Sequence, residues 1–271
     1  MGKDLVVERG TARTMSEVNS HRAALEAVVL EDFASLGVRA IVTTRSGGVS
    51  TGPYASLNLG DHVGDKPPDV AENRSRLAAA LDVAPDALVV ANQVHGADVA
   101  VVRHGDAPGD VDVLVTTDPS VVLCVLVADC VPAVVVDPVA GVLAVVHVGW
   151  RGVAAQTMVA GVEAATSLGA DPARCRVYLG PRISPRAYEV GDEVAAAFHA
   201  VGCGDDVVAE CGHYHADLAG ACVRQLVDSG VHAGHVIVSS LVTDGGDRFF
   251  SDRAQRPCGR FAIAARLERR S

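Results

Sequence analysis

The sequence has few of the side chains with which proteins hold nucleic acids. Aromatic residues are only 4% of the 271 residues, and 33 acidic against 23 basic side chains give a formal net charge of −10. Nucleic-acid binding requires clustered Lys and Arg to replace counterions, and single strands also need aromatic rings for base stacking. We therefore expect no nucleic-acid partner, whereas a small anion can still bind in a locally basic pocket.

Paired cysteines and long apolar runs are also lacking. The seven cysteines are an odd number without any Cys-x-x-Cys pair, so no disulfide framework is expected. The apolar runs stop well short of the ~18 residues that a membrane helix needs. The polar, charged first residues also differ from the apolar segment of a secretory signal. We expect a chain without a membrane partner, located in the reducing cytoplasm.

Short β-branched runs and helical segments are abundant instead, and 49% hydrophobic residues suffice for a large core. Runs bounded by Gly, Pro and Asp predict strands at 40–43, 89–94, 121–127, 142–146, 236–239 and 261–264. Apolar spacing and end signals predict helices at 22–36, 69–81, 152–168, 193–199 and 217–228. Because strands and helices interleave without strict alternation, the predicted class is α+β, with mixed β-sheets packed together and flanked by helices in a single domain.

Three of the apolar runs lead to a side chain that can bind a metal or act as a nucleophile. These side chains are His95, Cys130 and His147. Residues just past strand ends often supply the chemistry of sheet-containing folds, so the three can converge in one cleft. Two imidazoles and a thiolate suit zinc, and three protein ligands leave a fourth position open for water or substrate. The alternative is a small buried cysteine and two histidines whose hydrogen bonds are satisfied at strand ends.

Several longer blocks resemble one known family. They are TTRSGGVS at 43–50, NQVHG at 92–96, ADCVP at 128–132, HVGWRG at 147–152, LGP at 179–181 and YEVG at 188–191. These blocks are similar to the signatures of the YfiH/laccase-domain family, once labelled polyphenol oxidases and later described as zinc-dependent purine nucleoside phosphorylases with adenosine deaminase activity. The resemblance covers roughly residues 38–266. It implies an N-terminal extension at 1–30, which can be flexible, and a YfiH-like catalytic domain at 31–271.

The resemblance implies a zinc enzyme that uses phosphate to cleave purine nucleosides (adenosine, inosine and methylthioadenosine) and that also deaminates adenosine. Its partners are then a small nucleoside and phosphate, and its metal ligands are His95, Cys130 and His147. Cys130, His147 and Arg151 are the predicted catalytic residues. Asp129 is a candidate general acid only because it is the neighbour of Cys130.

Arg151 is the first candidate for phosphate binding. GWRG at 149–152 joins a strand to a helix, whose free amides together with a guanidinium fork suit an anion. The guanidinium can instead cap a loop carbonyl or pair with a surface acid. Arg45, before the glycine-rich loop 47–64, is a second candidate for phosphate or ribose binding. Asn58 in that loop can bond a sugar hydroxyl or close a turn.

The chain departs from the family where redox chemistry is concerned. Arg186 and Ala187 stand where members often have a cysteine pair, and Val242 precedes Thr243 where Cys-Thr is common. A multicopper oxidase needs many closely paired histidines, whereas this chain has one His-x-His, at 213–215 in a predicted polar loop. We therefore discount oxidase chemistry, although copper can occupy an open His/Cys site adventitiously.

Two other functions fit the same three residues. In a metal-free cysteine hydrolase acting on a small amide such as a peptidoglycan precursor, Cys130 is the nucleophile and His147 the base. Backbone amides then form the oxyanion hole, and His95 orients or binds substrate. In an interaction protein, the three residues form a closed structural zinc site with a fourth protein ligand. Metal analysis combined with alkylation of Cys130 separates these hypotheses.

Overall fold

Strands form most of the framework. The computed structural model describes residues 13–14, 25–210 and 212–269. Within these residues the strands are β1 (Arg13–Thr14), β2 (Glu26–Val29), β3 (Val38–Thr43), β4 (Leu88–Val90), β5 (Val99–Val101), β6 (Val113–Thr116), β7 (Val122–Val127), β8 (Val131–Asp137), β9 (Val142–Val148), β10 (Arg176–Leu179), β11 (Glu189–Val190), β12 (Val207–Glu210), β13 (His213–Ala216), β14 (Val236–Val238) and β15 (Phe261–Leu267). The helices in the same residues are α1 (Glu31–Ala34), α2 (Pro67–Ala80), α3 (Trp150–Ala154), α4 (Thr157–Ser167), α5 (Asp192–Ala200) and α6 (Leu218–Asp228).

The first sheet has six strands in the order β1-β2-β3-β15-β7-β4. Its neighbours are antiparallel apart from β4, which runs parallel to β7 with Val89 opposite Leu123. Strand β15 lies inside the sheet, where Ile263 is opposite Val42 of β3 and Val125 of β7. Every residue of β7 is buried. This burial explains its continuous apolar sequence, because a strand covered on both faces needs apolar side chains at all positions.

The second sheet, in the order β14-β10-β8-β9-β6-β5, packs against the first. Leu143 and Val145 of β9 lie in the same buried cluster as Leu123 and Val125 of β7. The outer face of the first sheet packs against α2, and that of the second packs against α4, α5 and α6. This layered arrangement confirms the predicted α+β class, with mixed β-sheets packed together and flanked by helices in a single domain.

A third sheet of three strands, in the order β11-β13-β12, contains both histidines of the His-x-His pair. The prediction of a polar loop is wrong here, because His213 and His215 lie in β13. His213 pairs with Glu189 at 2.9 Å, and Nδ1 of His215 lies 3.1 Å from the carbonyl oxygen of Pro185. Both rings therefore already have partners within the protein.

Two of the predicted helices differ from the observed elements. In the segment 22–36 the described residues form β2 and then the short α1, because Ala27 and Val28 are buried opposite β3. The segment 152–168 is divided into α3 and α4 at Gln156, whose φ is 59°. Residues 1–12 and 15–24 lie outside the described residues, so the N-terminal extension stays a prediction. In the described parts of the chain, no helix is both long and apolar enough to cross a bilayer.

Candidate metal centre

His95, Cys130 and His147 come together at one end of the two-sheet core. His95 follows β4 of the first sheet, Cys130 lies in the connection from β7 to β8, and His147 lies in β9 of the second sheet. Their ligand atoms all lie within 4.8 Å of one another, and the two imidazole rings are 4.8 Å apart at 82°. Among the described residues this is the one group of three such side chains able to hold a metal ion. The three sequence-predicted ligands thus share one site.

The backbone around the site permits this close approach. His95 has a φ of 62°, in the left-handed region that a β-carbon disfavours, at a cost on the order of 1–3 kcal/mol. A β-carbon at Gly149 would lie 2.9 Å from Cys130 Sγ and 3.2 Å from His95 Cδ2. Glycine at 149 therefore leaves room for this arrangement, because a side chain there would have to displace the thiol or the His95 ring.

Just before His95, the side chain of Gln93 takes the place of main-chain hydrogen bonds between two strands. Gln93 Nε2 donates to the carbonyl oxygen of Leu126 at 2.6 Å, and its Oε1 accepts the Leu126 N–H at 2.8 Å. These two bonds continue the pairing of β4 with β7 after the main chain of β4 has turned away. The turn that carries His95 is thereby fixed to the first sheet.

Asp112, which the sequence analysis did not single out, connects this turn to the second sheet. Its carboxylate is fully buried and accepts hydrogen bonds from His147 Nδ1 at 2.7 Å and from the Gly96 N–H at 2.7 Å. With Nδ1 engaged, Nε2 is the ring nitrogen left for a metal. A signal did exist in the sequence, since Asp112 interrupts the apolar run 111–115, where a carboxylate needs buried partners.

The electrostatics of the site favour a thiolate. Burial alone would raise the pKa of Cys130, but the charges and hydrogen bonds of His147 and His95 lower it to about 6. Burial alone would lower the pKa of His147, but the Cys130 thiolate and the Asp112 carboxylate raise it to about 9. At neutral pH the metal-free site therefore holds a thiolate and an imidazolium side by side.

The donor set fits zinc. The thiolate is the form of cysteine that binds metals, and a thiolate with two imidazoles is a ligand combination found at zinc sites. His147 is buried, Cys130 is half-buried and His95 is exposed, so the group is open to solvent on the side of His95. Three donors with one open side correspond to a catalytic zinc site, whereas a structural site has four protein ligands.

Asp129 contributes to the site by holding two distant loops. Its Oδ1 accepts the hydroxyl of Thr243 at 2.5 Å, and its Oδ2 accepts the backbone N–H of Arg253 at 2.7 Å. The residue is buried and has a φ of 90°. Both carboxylate oxygens are thus occupied by structural contacts, which favours a positioning role over that of a general acid.

Tyr188 lies among the charged groups of the site, although the sequence analysis did not propose it as a site residue. Burial raises its pKa to about 12, and the negative charges of Cys130 and Asp129 act in the same direction. The guanidinium of Arg253 lies 5.2 Å from the ring centre. Arg151 also acts on the phenol electrostatically. The only signal in the sequence was its position in the YEVG block at 188–191.

Arg151 presents an exposed guanidinium with no protein partner among the described residues except an aromatic ring. Its Cζ lies 4.3 Å from the centre of the Trp150 ring. Within the described ranges it therefore neither caps a loop carbonyl nor pairs with an acid, the two alternatives that the sequence left open. The helix it belongs to, α3, has only five residues. The guanidinium, and not the helix dipole, is then the main feature that can attract an anion here.

Arg45 and Asn58 are used inside the protein. Arg45 Nε donates to the carbonyl oxygen of Ala55 at 2.9 Å, and its guanidinium lies over the ring of Phe250 at 4.7 Å. The Asn58 amide is fully buried and bonds Gly60, the Asp65 carboxylate and the Arg260 N–H. Of the two roles predicted for Asn58, these bonds correspond to closing a turn.

Known proteins of similar sequence identify the family of this chain. The profile of a family described as multi-copper polyphenol oxidoreductase laccase matches residues 39–268. The chain belongs to this family. It is 44% identical over 238 residues, 87% of this chain and 92% of the relative, to a protein of Deinococcus radiodurans named purine nucleoside phosphorylase. A relative of the same general name from Pseudomonas aeruginosa is 42% identical over 240 residues, which cover 85% and 94% of the two chains.

Two solved structures at 30% and 33% identity have the same fold as this chain. A hypothetical protein YfiH of Bacillus licheniformis superposes with a TM-score of 0.86 at 30% identity, over 90% of this chain and 97% of that one. YlmD of Geobacillus stearothermophilus gives 0.85 at 33% identity, over 95% and 100%. These likenesses confirm the family that the sequence blocks predicted. The words "multi-copper" do not fit the described residues, which contain a single group of three metal-binding side chains.

Proposed function

We propose that this chain is a zinc-dependent purine nucleoside phosphorylase that also deaminates adenosine. The observation that carries the proposal is the group of His95, Cys130 and His147, whose three donors fit an open catalytic zinc site. Relatives named purine nucleoside phosphorylase, at 44% and 40% identity, support the substrate class. The proposed substrates are phosphate and a purine nucleoside such as adenosine, inosine or methylthioadenosine.

Phosphorolysis exchanges one bond at the anomeric carbon of the ribose. The bond from C1′ to the purine nitrogen breaks, and a phosphate oxygen forms a new bond to C1′. The electron pair of the broken bond leaves with the purine, which then takes up a proton. A zinc ion in the site would supply Lewis-acid stabilisation of negative charge on a ligand at the open position. The protein itself has to hold phosphate and nucleoside in contact.

Arg151 is the proposed phosphate ligand. Its guanidinium is exposed and has no carboxylate partner in the described part of the chain, so it can offer two parallel N–H donors to a phosphate. The Trp150 ring against which it stacks limits its motion, which lowers the entropy lost on binding. Arg45 is the second candidate, although its Nε is already bound to Ala55.

Tyr188 and Asp129 have different proposed roles around the nucleoside. The phenol of Tyr188, whose pKa is raised to about 12 by burial, is proposed to donate a hydrogen bond to substrate, because it lies among the charged groups of the site and keeps its proton well above neutral pH. Asp129 is proposed to position the loops of Thr243 and Arg253 around the site, since both of its oxygens bind them. These two bonds argue against Asp129 as the general acid.

The test is a nucleoside panel assayed with and without phosphate on protein of known metal content. We expect about one zinc per chain, as for other three-ligand sites, and phosphate-dependent release of the base from inosine and adenosine. Cys130→Ser should lose most of the zinc and the phosphorolysis while the protein stays folded. Full phosphorolysis by metal-free protein would rule out the proposal.

A metal-free cysteine hydrolase is the second candidate, and the pKa of Cys130, at about 6, favours it. A thiolate beside His147, which is itself held by Asp112, has the order of nucleophile, base and orienting group found in such enzymes. Its substrate would be a small amide such as a peptidoglycan precursor. A hydrolase would keep its activity after chelation and lose it on alkylation of Cys130. The proposed phosphorylase should already be inactive after chelation.

The proposed compartment is the reducing cytoplasm. The six cysteines in the described residues are all unpaired. Thiol titration of denatured protein from the cytoplasm should find all seven cysteines of the chain reduced. Two or more thiols that react only after treatment with a reductant would contradict this.

A further inference from the structure

The two oxygens of Asp112 divide their hydrogen bonds in an informative way. Oδ1 accepts from the ring nitrogen Nδ1 of His147 at 2.7 Å and from the backbone N–H of His95 at 3.1 Å. Oδ2 accepts from the backbone N–H groups of Val94 at 3.2 Å and Gly96 at 2.7 Å. One oxygen therefore touches both histidines of the metal group, and the other fixes the turn around His95.

The same residue also places the main chain of the second histidine. The carbonyl oxygen of Asp112 accepts the backbone N–H of His147 at 2.9 Å. His95 comes from the first sheet and His147 from the second, and the main chain of the two regions is bridged nearby, where the Val111 N–H donates to the Asn92 carbonyl oxygen at 3.0 Å. Asp112 adds a direct connection between the two histidines themselves through its side chain, from a position that is 0% exposed.

We propose that Asp112 is the positioning residue of the metal centre, setting the distance between His95 and His147 and turning Nε2 of His147 toward the metal. This inference rests on the proposed metal site. A carboxylate behind a metal-binding histidine fixes the ring orientation and makes the ligand more basic. Asp112 additionally holds His95 in its left-handed conformation, with a φ of 62°. Its effect should therefore be on metal affinity and ligand geometry, beyond any effect on stability.

Asn is an informative replacement because it keeps the shape of the side chain. An amide has one oxygen and one NH2 group, and the NH2 group cannot accept hydrogen bonds. In Asp112→Asn the NH2 group replaces one of the two oxygens. It then faces either the donors of His147 and His95 or the donors of Val94 and Gly96. Whichever way the amide is turned, two of the four hydrogen bonds to the side chain are lost.

Asp137 offers a matched control. It is 1% exposed and accepts backbone N–H groups from Val139, Ala140 and Asp171, besides pairing with Arg174. It is the last residue of β8, whereas Cys130 directly precedes that seven-residue strand, so the two are about 20 Å apart along it. Asp137→Asn therefore removes comparable buried bonds without touching the metal group.

The experiment measures zinc affinity by competition with a chelator, the visible spectrum of the cobalt-loaded protein, and stability in urea for the unaltered chain and both variants. We expect Asp112→Asn to bind zinc ~10–100-fold more weakly and to change the cobalt spectrum. Asp137→Asn should lose stability but keep zinc affinity and spectrum. Equal affinity in Asp112→Asn and the unaltered chain, or an equal loss in Asp137→Asn, would overturn the inference while leaving the proposed function intact.

A measurement on the unaltered chain keeps the inference testable if Asp112→Asn does not fold. In the zinc-loaded protein with 15N-labelled histidine, His147 should carry its proton on Nδ1 and the metal on Nε2. A His147 ring bound to zinc through Nδ1 would overturn the inference alone. Failure of the unaltered chain to bind zinc at all would overturn both the inference and the proposed function.

Discussion

The glycine-rich segment 47–64 and the metal centre both follow strands and both combine glycine with Arg, Asn or His, but they use their polar atoms differently. The segment is held to α2 by Asn73, which is fully buried and bonds the Val49 N–H, the Ser50 hydroxyl and the Asn58 carbonyl oxygen. These polar groups of the segment are therefore bonded inside the protein. At the metal centre two imidazoles and a thiol face one another, and Arg151 has no hydrogen-bonding partner in the described residues. The grouping of metal-binding side chains beside a guanidinium without a hydrogen-bonding partner in the described residues, more than the glycine-rich motif itself, distinguishes a candidate site from a structural loop.

Removing a metal ligand should give the largest effect. His147→Ala takes away a buried donor and leaves two protein ligands, so zinc affinity and phosphorolysis should both fall by more than ~100-fold, beyond the usual effect of an outer residue. Zinc titration and inosine cleavage measure this. The matched control is His213→Ala, which removes an exposed histidine paired with Glu189 and should change neither quantity. Full zinc retention by His147→Ala would contradict the assignment of the metal centre, and with it the difference in role between the two regions.

A smaller effect is expected at the proposed phosphate ligand. Arg151→Ala should weaken phosphate-dependent cleavage of inosine and adenosine by at least ~10-fold, because a charge-assisted hydrogen bond is worth ~1.5–3 kcal/mol. Deamination of adenosine, which uses water and no phosphate, should suffer less. Arg151→Lys keeps the charge but not the bidentate fork, so it should be intermediate. Unchanged phosphorolysis in Arg151→Ala would make Arg45 the leading candidate.

A substitution that loosens the glycine-rich segment 47–64 should lower stability and leave metal binding unchanged. Asn73→Ala leaves the Val49 N–H and the Asn58 carbonyl oxygen without their partner, so the free energy of unfolding should fall by about 1–3 kcal/mol. Urea denaturation measures that loss, and zinc titration of the folded variant should match the unaltered chain. A marked loss of zinc affinity under conditions in which Asn73→Ala is fully folded would show that the two regions are coupled.

The smallest effect is expected when the pH is raised above neutrality and the rate of Cys130 alkylation is followed. Because the folded pKa of Cys130 is lowered to about 6, its thiolate forms as pH rises through that value and is nearly complete by pH 7. Alkylation of Cys130 in chelator-treated protein, followed by peptide mapping, should therefore level off above pH 7. In His147→Ala the midpoint should move toward the ordinary thiol value of 9.0. A midpoint near 9 in the unaltered chain would contradict this electrostatic account.

The fold class, and the convergence of His95, Cys130 and His147, could be predicted from sequence because their signals are local. Apolar β-branched runs mark β7 and β9, and residues after buried runs tend to lie in clefts. The helix predicted at 22–36 is wrong at Ala27 and Val28, because these residues pair with β3. Such pairing depends on a strand that is distant in sequence, and the local sequence pattern does not show it.

The missed residues depend on partners that are distant in sequence. Asp112 was not recognised because its role comes from turns that only folding brings next to β6. Asp129 was taken for an acid because its neighbour is Cys130, whereas its own contacts, Thr243 and Arg253, come from near the other end of the chain. Such roles require the tertiary structure.

Gly149 has a consequence for how members of this family are sorted by sequence. A β-carbon at that position would lie 2.9 Å from Cys130 Sγ and 3.2 Å from His95 Cδ2, so two of the three ligand side chains would have to move. A protein with the same two histidines and cysteine but a larger residue at 149 would keep the complete ligand set in its sequence and still be expected to lack this geometry. The residue at 149 should therefore be considered together with the three ligands when metal binding is predicted from sequence.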